Sequence, residues 1–62
     1  MMTRKDYVET ANILASAREG LLSLGLEGEV IFENLVSDFI SMFQDDNERF
    51  IVSKFADACW EN

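Results

Sequence analysis

Histidine and proline are absent from these 62 residues, cysteine appears once, glycine three times, and lysine and arginine total five against twelve acids. Each shortage excludes something. A single cysteine cannot close an internal disulfide, and without histidine it gives no zinc-ligand spacing. Cys59 also lacks the base that most often activates a thiol, so it reads as a small core hydrophobe. With no proline and few glycines, little interrupts a helical chain. No run of 18 apolar residues is present, which excludes a helix spanning a membrane. The start, MMTRKDYVET, turns polar too early for the apolar segment of a signal peptide.

Apolar residues make up 48% of the chain, far above the content of a disordered acidic tail. A chain of this length buries only about 60% of its unfolded surface, so it sits near the lower limit for folding alone. It must rely on helix packing or self-association. Its size also leaves little room for a ligand cavity of about 300 Å³ or more. The charge is unevenly spread. Residues 1–22 are balanced, whereas residues 23–46 hold Glu27, Glu29, Glu33, Asp38, Asp45 and Asp46 and no base. Direct binding to nucleic acid or to an anionic membrane needs basic patches and is disfavoured.

The periodicity predicts an all-α fold of three helices in one domain over residues 1–62. Thr3 followed by Asp6 approximates a capping box, and Tyr7, Ala11, Leu14 and Leu21 recur at helical spacing, giving a first helix over about 3–22. Gly20 lies within that pattern. Ser23-Leu24-Gly25-Leu26 reads as a turn, with Gly25 the candidate for positive φ. A second helix over about 27–44 carries Val30, Ile31, Phe32, Leu35, Val36, Phe39, Ile40, Met42 and Phe43. Its polar residues read as one narrow strip, so the helix is expected to be central, highly apolar and covered on two sides. Asp46 and Asn47 are both suitable caps for a third helix over about 48–60, with Phe50, Val52, Phe55, Ala56 and Cys59 near one face.

Four features could carry function. Asp45-Asp46-Asn47-Glu48 fails as a calcium loop, since the sixth position is Phe50 rather than glycine and the twelfth is Ala56 rather than glutamate. The aromatic residues read as core. Trp60 reads either as an exposed partner anchor or as a ring folded over the core edge. The acids Glu29, Glu33, Asp38, Asp45 and Asp46 read either as a solubilising face or as a surface for a basic partner, because a solvated face normally mixes both signs. No residue is assigned to catalysis, to a metal or to a cofactor, and the chain is read as a non-enzyme.

Arg4-Lys5-Asp6-Tyr7 near the start, Phe39 in the middle helix, Asp46-Asn47-x-Arg49-Phe50 and then Phe55-x-x-Ala58-Cys59 together resemble a group of small bacteriophage-encoded proteins. Those proteins open on RKDY and close on a DNPRF…RFLxAC pattern. The likeness is strongest at the C-terminal pattern and thin in the middle. Glu48 stands in place of proline, Ile51 in place of a capping Asp or Ser, and Trp60 in place of glycine. The resemblance implies a phage origin and the cytoplasm of an infected bacterium. It supplies no catalytic or binding residue. The expected function is that of an acidic accessory protein that binds and modulates a basic-surfaced host protein; the alternative is an adaptor acting through homo-oligomerisation. A host or phage protein and a second copy of the chain, as a homodimer, are the expected partners.

Overall fold

The computed structural model describes residues 3–61, with side chains through residue 60. It is all-α: α1 (Arg4–Leu22), α2 (Leu26–Asp46) and α3 (Val52–Glu61). Tyr7, early in α1, meets Phe43, late in α2, and Phe50, just before α3. At the other end Arg18 of α1 reaches the carbonyls of Cys59 and Trp60 at the end of α3. The helices therefore run up, down and up, with α1 and α3 parallel. The molecule measures 34 × 17 × 15 Å, and its long axis matches the roughly 32 Å expected of a 21-residue helix at about 1.5 Å per residue.

Local chemistry explains the boundaries. At the start of α1 the capping box is complete. Thr3 Oγ1 accepts from the Asp6 amide at 3.4 Å, and Asp6 Oδ2 accepts from the Thr3 amide at 2.9 Å. Gly25 has φ +86°, the positive value anticipated for it, and turns the chain into α2. The third helix begins at Val52, four residues later than the sequence pattern suggested. Asn47 is spent on a turn instead of a helix cap: its Oδ1 accepts from the Arg49 amide at 3.0 Å, and its carbonyl accepts from the Phe50 amide at 3.0 Å.

That turn swings Phe50 into an aromatic cluster. Phe43, fully buried, has Tyr7, Phe50, Phe55 and Phe39 around it at centroid distances of 4.8, 5.4, 5.3 and 5.8 Å. The buried core continues through Ala11, Leu14, Phe32, Val36 and Cys59. The expectation of a central α2 covered on two sides is not met. The most extensive packing joins α1 to α3, and α2 meets α3 least. Only one side of α2 is covered, and Leu26, Val30, Ile31, Leu35 and Met42 remain exposed along it. Its polar residues occupy a wide arc, not a narrow strip, because at about 100° per residue Glu33 and Asp38 lie about 140° apart.

Arg18 is the only basic side chain among the described residues that hydrogen-bonds into another helix. It donates to the Cys59 carbonyl at 3.3 Å and to the Trp60 carbonyl, and so supplies a positive cap for the C-terminal end of α3. Arg18→Met keeps a long apolar stem but removes the donors. It is expected to destabilise the fold by about 1.5–3 kcal/mol, the range for hydrogen bonds to a charged group. Urea denaturation followed by circular dichroism checks this, and an unchanged midpoint would remove Arg18 from the fold's supports.

Candidate protein-binding face

Residues on α2 separate into two sets around its axis. Glu29 and Glu33 follow one another at i and i+4 on one flank. On the other flank Ile31, Leu35 and Met42 lie along one exposed row, 48, 38 and 46% exposed, with Asp38 between Leu35 and Met42. Helix geometry places Asp38 within about 20° of Ile31, and Glu27 and Asp45 beside it, so this ridge has an acidic border. All six acids of α2 are exposed. The residues singled out in the sequence thus do not form one surface. Asp38 and Asp45 accompany the ridge, while Glu29 and Glu33 face elsewhere. Asp46 closes α2.

Trp60 combines both of its readings. Its ring stands edge-on to Phe32 at 4.8 Å and 80°, yet 38% of the residue stays exposed. The ring is therefore fixed in place by the core and still offers a face to a partner. Cys59 beside it is fully buried, and burial pushes its thiol above the ordinary cysteine range. A thiol held protonated in this way is a poor nucleophile.

Among the described residues no group of three or more His, Cys, Asp or Glu side chains is placed to hold a metal ion. Among the same residues no helix is long and apolar enough to cross a membrane. The ridge itself was missed in the sequence. Its signal is the spacing of Ile31, Leu35 and Met42 with Asp38 among them; the apolar surplus of this helix reads in the sequence as a dimer contact, without these positions being singled out. Comparison with protein-family models, curated proteins and solved structures finds no match to this chain.

Proposed function

We propose that the protein acts by binding another protein through α2, as a small phage-derived accessory factor that occupies and modulates a basic-surfaced host protein. The observation that carries this reading is the exposed ridge of Ile31, Leu35 and Met42 with Asp38 at its edge. An amphipathic helix of this kind suits a hydrophobic groove with a cationic rim: the apolar side chains supply affinity, and the acids supply orientation and a fast encounter. Trp60 extends the contact at the far end of the bundle.

The test is capture of bacterial host proteins on the immobilised chain, washed at low and then high salt. A basic host protein retained at low salt and released at high salt is expected. Asp38→Lys with Asp45→Lys is expected to reduce its retention at least tenfold, as is Ile31→Ser with Leu35→Ser, while Glu29→Lys with Glu33→Lys has a smaller effect. Failure to retain a basic protein, or equal loss with both charge-reversed pairs, counts against the reading.

The same ridge supports a second reading, self-association across a two-fold axis. Salt separates the two. Pairing of like acidic faces is strengthened by screening, whereas an acidic face on a basic partner is weakened. Sedimentation equilibrium across a salt series distinguishes these opposite slopes.

A further inference from the structure

A cleft of about 370 Å³ opens between the N-terminal ends of α1 and α3. The length of the chain argued against a cavity of this size. It lies where the N-terminal ends of α1 and α3 meet the turn that precedes α3. Tyr7, Phe50 and Ile51 contribute apolar walls, and Arg4, Arg49 and Lys54 stand around them. Three of the chain's five basic residues thus border one cleft, and among the described residues no carboxylate lines it. None of these three side chains makes an ion pair or hydrogen bond among the described residues. The acid adjacent to Tyr7 in sequence, Asp6, has its Oδ2 engaged by the Thr3 amide and hydroxyl.

Two further observations at the cleft concern unsatisfied polar groups. The Tyr7 hydroxyl is buried and has no hydrogen-bond partner among the described residues. Phenylalanine at this position would keep the ring contacts with Phe43 and Phe50 and avoid a buried, unpaired hydroxyl, so packing alone does not explain a tyrosine there. The start of α3 is also uncapped. The Ile51 carbonyl accepts the first helical hydrogen bond from the Phe55 amide at 3.3 Å, which puts Ile51 at the N-cap position, where its side chain cannot accept. The amides of Val52, Ser53 and Lys54 therefore find no acceptor among the described residues, at the positive end of the helix.

We propose that this cleft binds a small amphipathic anion, a carboxylate or sulfonate on an aromatic or aliphatic body. The body would lie against Tyr7, Phe50 and Ile51, and the anionic head would meet Arg49, Lys54 and the free amides of α3. The volume falls at the lower end of the range for small-molecule clefts, which suits a ligand of one or two rings. The site is separate from the α2 ridge and does not depend on the reading given to that face.

The test titrates the ¹⁵N-labelled protein with 2-naphthoate and, separately, with neutral 2-naphthamide, which has the same body without the charge. Saturable one-to-one binding of naphthoate is expected, with amide shifts confined to the first two turns of α1 and to residues 49–55. Naphthamide is expected to bind at least tenfold more weakly. Arg49→Gln with Lys54→Gln should lower naphthoate affinity at least tenfold and leave naphthamide unchanged. Ile51→Ser, which caps α3 from within the chain, should raise thermal stability and weaken naphthoate. Equal affinity for acid and amide, shifts centred on α2, or no saturation would each overturn the proposal. So would protection of the same residues by a second copy of the chain at high protein concentration.

Discussion

Gly28→Ala is expected to remove most of the fold's stability. A methyl group at this position would lie 1.6 Å from the Leu21 carbonyl oxygen and 2.6 Å from its carbon, both backbone atoms at the end of α1. No rotamer change relieves such a clash. The two helices must separate there, and Leu24 Cβ, at 3.2 Å, moves with them. Forcing extra methylenes into packed sites commonly costs about 1–3 kcal/mol, and more where the obstacle is backbone. A loss of at least about 3 kcal/mol is expected, against a total stability of about 3–9 kcal/mol for a chain of this length. Gly20→Ala is the control. That position is exposed with nothing within 4 Å, so alanine should add about 0.5–1 kcal/mol through helix propensity. Thermal melts of the two variants should move in opposite directions. A raised melting temperature for both would place α1 and α2 farther apart than described above.

Phe43→Ala is expected to cost about 3–5 kcal/mol, the range for deleting a buried aromatic ring. Its ring is fully buried and belongs to four ring pairs, so its removal opens a cavity that three elements line. Tilted and edge-on pairs of this kind add about 0.5–1.5 kcal/mol each beyond area burial. Met42→Ala, one residue earlier and 46% exposed, is expected to change stability by about 0.5 kcal/mol or less. The comparison is demanding because both residues were expected to face the core. Similar losses at the two positions would mean that the Met42 side is covered in solution, which favours self-association along the ridge.

Much of the fold was legible in the sequence. The number of helices followed from periodicity, the first cap from Thr3 and Asp6, and the turn from Gly25, because each depends on residues within four positions of one another. The parts that were not legible depend on distant residues. Gly28 carries no signal in the sequence pattern, and only its contact with Leu21 shows why it has no side chain. Arg18 read as one of three charges balancing the first segment, and its partners lie more than forty residues away. The delayed start of α3 turned on a choice local chemistry leaves open, since Asn47 can cap a helix or close a turn. The acids of α2 looked like one strip because composition shows their number and not their angle around the axis. The cation-bordered cleft was hidden for the same reason: Arg4 belongs to the first segment and Arg49 and Lys54 to the last, and each base is unremarkable where it stands in the sequence.

The parallel pairing of α1 with α3 sets the order in which the chain can assemble. α1 and α2 are joined by a three-residue turn and can meet at once. The more extensive interface, between α1 and α3, requires closing a loop that contains all of α2. That closure is entropically costly before its contacts form, so it is the slow step. Substitutions in the 23–25 turn should then act mainly on the folding rate, and those at Arg18 or in the last turn of α3 mainly on unfolding. The clamp formed by Arg18 is expected to close last and open first.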